Sequence, residues 1–246
     1  MATDNESSLD WLSGDSEAIL FATTHDLFAE AHRWGFLVFR TTTDSTSSND
    51  WDDALEVLYD FVAFSITYER LTIDENADEG VEELILSKFD LTVVYDPGLK
   101  GADDRVIRAY FREWESCNSR RPALDSIALT LDDNAVLSLV SCPRPQADIE
   151  ELDDNFGYVR VVDMDYDETS SEAVPHYKGW MLCKADALVD LYSMIHMQKM
   201  RALAPEIEKH GQIPLYIGDG YIGQLIDPSE REWPQFKAVA AGPESD

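Results

Sequence analysis

The segment VRVVDMDYDE, residues 159 to 168, sets Asp163, Asp165 and Asp167 in alternation directly after an apolar run. Carboxylates so placed can hold a divalent cation or serve phosphoryl transfer. A calcium loop of the helix–loop–helix type needs alternating oxygen ligands, then Gly at the sharp turn and a closing bidentate Glu. Asp163, Asp165 and Asp167 supply the alternating ligands, but Glu168 stands where the Gly belongs and Val174 where the closing Glu belongs. The turn and the strongest ligand are both missing. The row therefore reads as a strand running out into solvent, as acidic runs usually do.

Phosphoryl transfer is the sharper alternative. Haloacid-dehalogenase-type phosphatases place Asp-x-Asp after a hydrophobic strand, the first Asp as nucleophile and the second as acid/base. Mg²⁺ offsets the charge that would otherwise favour protonated carboxyls. VRVVDMD resembles that arrangement, and PLYIGDG, with Asp219 after an apolar run, resembles the later Mg²⁺-binding segment. Lys199 or Lys209 would be the phosphate-binding lysine. Against this, Asp167 occupies a place usually held by Thr or Val, and the acid expected soon after Gly-Asp is delayed to Asp227. Positions 163 and 219 are also too close to enclose the strands and helices that separate the two motifs in that fold.

Other chemistry is sparse. His25, His32, His176, His196 and His210 show no dense metal-ligand spacing, although His25 and His32 could share one helix face. Cys183 and His176 flank one apolar strand, with nothing to orient the imidazole. No nucleophile elbow, phosphate-binding P-loop or dinucleotide fingerprint is present. Arg105, Arg108 and Arg112 read as a salt-bridged solvent face, with Asp104 four residues before Arg108. Arg40 ends an apolar strand, so its guanidinium must snorkel, face a cavity or pair with a carboxylate; pairing with an internal acid is expected. Trp34, Trp51, Trp114 and Trp180 read as core. Arg40 and Trp180 are the candidate ligand-binding residues of a pocket suited to a neutral or aromatic ligand.

Composition narrows the partners. Among 246 residues, 49 are acidic and 19 basic, a formal net charge of −30. Nucleic acid and anionic membrane surfaces reward Lys and Arg, so neither is expected to bind. A protein partner, or a neutral or cationic small molecule, fits better. Three separated cysteines and no CxxC pair point to a reduced, cytoplasmic protein without a disulfide framework or thiolate zinc site. No cofactor is indicated. The acidic, polar start lacks the features of a signal peptide, and no apolar run approaches the roughly 20 residues of a membrane span.

The elements that must position these residues follow from periodicity. Residues 1–14 read as a flexible lead, 15–34 as helical, and 36–42 as a strand. A helix begins at Trp51, and VEELILSKF forms a second. Strands are expected at 89–96 and 126–131, with the helix ADDRVIRAYFREWESC between them and NAVLSLVSC after them. FGYVRVVDMD and YKGWMLC are consecutive strands. A long helix, whole or broken near Pro205, leads to IPLYIG as a last strand, and 241–246 is a frayed tail. ALTLDDNAVLSLV and WMLCKADALVDLY share one strand-to-helix layout, which suggests duplication. The expected fold is α+β: one compact domain over 15–240, built as two ferredoxin-like halves (15–122 and 123–240) packed together, with mixed or antiparallel sheets.

WGFLVFRTT followed by Trp51, DPGLKGADDRVIRAYFREW, and GWMLCKADALVDLY resemble a broad group of uncharacterised proteins from filamentous fungi. The likeness spans residues 34 to about 200. It implies a soluble α+β protein with no established activity and carries over no functional residue. The function expected from sequence is therefore binding or interaction without catalytic machinery. The alternatives are Mg²⁺-dependent phosphoryl hydrolysis by Asp163 and Asp165, with Asp219, and a cofactor-free small-molecule enzyme with a pocket between the halves.

Overall fold

A computed structural model describes residues 33–73, 81–117, 126–145, 157–169, 177–218 and 222–227, with the side chains of 68–73, 81 and 117 excepted. The helix expected over 15–34, the flexible lead and the tail lie outside the described residues, as do His25, His32, His176 and Asp219. The protein is α+β, with one seven-stranded mixed sheet and six α-helices among the described residues.

The strands are β1 (Trp34–Arg40), β2 (Phe89–Val94), β3 (Ile127–Leu131), β4 (Tyr158–Asp163), β5 (Trp180–Lys184), β6 (Ile213–Tyr216) and β7 (Gln224–Ile226). Their order across the sheet is β2-β1-β3-β4-β5-β6-β7. β1 is parallel to both β2 and β3, whereas β4 is antiparallel to both β3 and β5. The helices are α1 (Ser48–Ile73), α2 (Val81–Ser87), α3 (Asp104–Cys117), α4 (Asp133–Ser141), α5 (Leu188–Met197) and α6 (Met200–Leu203).

β1 shows why the layers form. Trp34 through Phe39 are all buried, the mark of a strand covered on both faces. Trp34, Phe36 and Val38 enter a large core with α1, α4 and α5, while Leu37 and Phe39 enter a smaller core with Ile107 and Phe111 of α3. Alternate side chains thus divide one strand between two layers. The chain moves outward from β1 to β2 and then back past β1 to β3. Two right-handed crossovers running in opposite directions require helices on opposite faces, and α1 and α3 occupy those faces. The indole Nε1 of buried Trp34 donates to the Ile85 carbonyl at 2.8 Å, so the large apolar ring leaves no buried donor unpaired.

The expected long helix after β5 breaks at Gln198 and Lys199, whose backbones are extended, and not at Pro205. Ala204, immediately before Pro205, is also extended and closes α6. β7 was not expected: QLI is too short and too polar to register as a strand. No described helix is long and apolar enough to cross a membrane.

Arg108 is not part of a solvent face. It is only 6% exposed, and its guanidinium turns from α3 toward the sheet. Nε donates to the Asp163 carbonyl at 2.9 Å, and Nη2 to the Gly179 carbonyl at 2.9 Å and the Lys178 carbonyl at 3.4 Å. Tyr166 lies beneath it, 4.9 Å from ring centroid to guanidinium carbon. Gly179 adopts φ +74°, and a Cβ there would fall 2.3 Å from the Tyr166 ring and 2.6 Å from Arg108 Nη2. Asp104 pairs instead with Arg160, at 3.1 Å. The Arg108→Met variant keeps an apolar stem but abandons these carbonyls, so urea denaturation should show a loss of about 3 kcal/mol. A loss below about 1 kcal/mol, the level of an exposed pair, would contradict the clamp.

Candidate functional site

Asp163 is the last residue of β4 and stands opposite Ile127 at the start of β3. It therefore lies at the sheet edge away from the carboxyl ends of β1, β2 and β3. Its Oδ1 accepts the Asp165 N–H at 3.0 Å, and its Oδ2 accepts the Tyr177 hydroxyl at 2.8 Å. Asp167 Oδ1 accepts both the Thr169 N–H, at 2.8 Å, and the Thr169 hydroxyl, at 2.7 Å. Two members of the row thus build local turns in which a carboxylate captures the amide two residues on. Burial raises the Asp163 carboxyl above its ordinary value, against the lowering effect of the Tyr177 hydroxyl. Hydrogen bonds from Thr169 hold Asp167 below its ordinary value.

A cleft of about 320 Å³ opens beside Asp163. Asp163 and Asp165 line one side of it, and His196, Gln198 and Lys199 line the other. Ile127, Ile195 and Met200 supply apolar surface. α5 runs toward this edge and ends at Met197, so the partial negative charge of its last carbonyls adds to that of the two carboxylates. His196 is oriented by its Nδ1, which donates to the Tyr192 carbonyl at 2.9 Å. Asp163 has no ion-pair partner among the described residues, because Arg108 takes its carbonyl and not its carboxylate. The result is a half-buried carboxylate beside an open volume, a setting complementary to a cation or a strong hydrogen-bond donor.

The fold does not bring Arg40 and Trp180 together. Arg40 lies 4.6 Å over the Trp51 ring of α1, on the face of the large core. Trp180 meets the Arg160 guanidinium at 3.9 Å, and Arg160 pairs with Asp104 of α3 on the other face. The expected pairing of Arg40 with an internal acid is corrected: its observed neighbours are two aromatic rings and Thr42. Trp34 and Trp51 are buried, as core residues should be, while Trp114 and Trp180 are half-buried.

Cys142 and Cys183 offer little chemistry. Cys183 is fully buried and its thiol is pushed well up by burial, and Cys142 is raised for the same reason. No group of three or more His, Cys, Asp or Glu among the described residues could hold a metal. His196 and Lys199 were visible in the sequence, but Gln198 carried no signal. What no local pattern could show is that the end of α5 returns to the end of β4. No protein-family model, curated protein or solved structure matches the chain.

A carboxyl whose folded pKa lies above its unfolded value contributes stability that is full below the unfolded pKa and lost as pH rises through the folded one. Asp163→Asn keeps the shape and an acceptor for Asp165 but cannot ionise. Relative to wild type, it should gain stability progressively from the ordinary value of 3.8 upward, and the difference should level off above the folded pKa. Paired urea denaturations across pH would show this; a variant that loses stability relative to wild type over that range would contradict the assignment.

Proposed function

We propose that the chain is a binding protein without catalytic machinery, taking a small organic cation with an apolar body in the cleft beside Asp163. The observation that carries this reading is the half-buried Asp163 carboxylate, without an ion-pair partner among the described residues and lining an open cleft. Asp165 and the end of α5 reinforce the negative potential, and Ile127, Ile195 and Met200 suit an apolar body. Lys199, on the far side, disfavours a second positive charge there. The small ligand is set ahead of a protein partner because the cleft is the specific feature available to it.

Mg²⁺-dependent phosphoryl hydrolysis through Asp163, Asp165 and Asp219 is the alternative. Less supports it, because β4 is antiparallel to both neighbours and Asp163 does not stand where parallel strands present their loops. A cofactor-free enzyme using this cleft would be told apart by turnover of the bound ligand. The free, buried thiols of Cys142 and Cys183 support the cytoplasmic expectation. The two ferredoxin-like halves belong to the same proposal, supported by the repeated passage from β3 to α4 and from β5 to α5. The likeness to filamentous-fungal proteins adds no activity to it.

The test is a calorimetric titration with phenethylamine, with cyclohexylamine and, separately, with Mg²⁺. At least one amine should bind, and Asp163→Asn should weaken it by about 10- to 100-fold, the loss of a charge-assisted hydrogen bond. Amine binding that is absent, or unchanged in the variant, would overturn the reading. Mg²⁺ binding lost in the variant would favour the alternative.

A further inference from the structure

The opposite edge of the sheet, where β1, β2 and β3 present their carboxyl ends, carries a second arrangement. β1 connects outward to β2, while β3 connects the other way to β4, so the loops that follow β1 and β3 diverge from adjacent strand ends. Arg40, the last residue of β1, is only partly buried there. Its guanidinium carbon lies 4.6 Å from the Trp51 ring centroid and 5.5 Å from that of Tyr95. Its Nε donates to Thr42 Oγ1 at 3.0 Å. The two terminal nitrogens, Nη1 and Nη2, have no hydrogen-bond or ion-pair partner among the described residues, and neither is a buried orphan. They form the fork that matches an oxyanion, fixed in place by stacking on one side and a hydroxyl on the other.

An arginine without a carboxylate partner is unexpected in a chain of net charge −30. The explanation lies in how the neighbouring acids are occupied. Asp44 pairs with Lys100. Asp96 accepts the Gly98 N–H at 2.7 Å and the Tyr110 hydroxyl at 3.3 Å. Asp132 caps α4 through the Ala135 N–H at 2.8 Å. Asp133 accepts the Thr43 N–H at 3.1 Å, the Thr43 hydroxyl at 2.6 Å and the Thr46 hydroxyl. Burial alone would raise the Asp133 carboxyl, but these hydrogen bonds leave it lowered. Each acid is committed to a loop donor or to Lys100, and Arg40 is left over.

We propose that this edge is a second ligand site, in which Arg40 binds the phosphate or carboxylate group of a small molecule. Thr42 orients the guanidinium, Trp51 backs it, and the largely exposed Tyr95 offers a face for an aromatic or other planar body. The site does not depend on the cleft beside Asp163, because the two lie on opposite edges of the sheet.

Calorimetry at low ionic strength with phenyl phosphate and with benzoate tests this in wild type, Arg40→Met and Arg40→Lys. Wild type should bind at least one probe with a dissociation constant in the millimolar range or tighter, and which probe binds better separates phosphate from carboxylate. Arg40→Met should weaken binding at least about 10-fold, and Arg40→Lys by less, since it keeps the charge but loses the fork. Asp163→Asn should leave it unchanged, which separates failure here from failure of the cation cleft. If Arg40→Met does not retain the wild-type urea midpoint, Arg40→Lys carries the comparison. No binding of either probe by wild type, or binding that both Arg40 variants retain in full, would overturn the proposal.

Discussion

The Arg108 guanidinium is the constraint on which the Asp163 edge depends. It reaches from α3 to the carbonyls of Asp163 and Gly179, which also share a ladder bond, the Asp163 N–H donating to the Gly179 carbonyl at 2.9 Å. One buried charge therefore fixes the end of β4, the start of β5 and the helix that covers them. Its hydrogen bonds go to carbonyls and not to an anion, so it lowers the Asp163 carboxyl only through its charge and leaves that carboxylate without a direct ion pair. Had Arg108 paired with that carboxylate, the cleft would hold a closed ion pair in place of an anion available to a ligand.

The same economy of charge runs through the molecule. Acids outnumber bases by 49 to 19, yet the acids best placed to quench Arg40 are spent on loop amides, hydroxyls and Lys100. At the other edge, Asp163 and Asp167 hold turns together through amides two residues ahead. Carboxylates thus act first as builders of loops. Arg40 and Asp163, which both lack an ion-pair partner among the described residues, stand at opposite ends of the strands and carry opposite signs.

Most elements could be read from the sequence because their residues repeat at the period of the structure they form. β1 was recognisable as an apolar run, and α1 and α3 by apolar residues at helical spacing. β7 was not, since QLI has neither length nor alternation. The break at Gln198 was hidden by the stronger signal of Pro205. Asp104 and Arg108 have the spacing of an exposed helical pair, yet Asp104 turns to Arg160 and Arg108 to backbone carbonyls. Spacing shows which residues share a helix side; it does not show that the side is buried. Asp163 and Arg40 were legible as charges ending apolar strands. Their surroundings were not, because the end of α5 and the ring of Tyr95 come from distant sequence.

In this reading Asp163 is a half-buried carboxylate kept open for a cation. A ¹³C NMR titration of the Asp163 side-chain carboxyl against pH tests this, in the free protein and with saturating phenethylamine or cyclohexylamine. A titration midpoint above the ordinary aspartate value in the free protein, falling when the amine is added, is the predicted result. An ordinary midpoint that the amine does not move would contradict it and leave VRVVDMDYDE as the end of a strand with no ligand to receive.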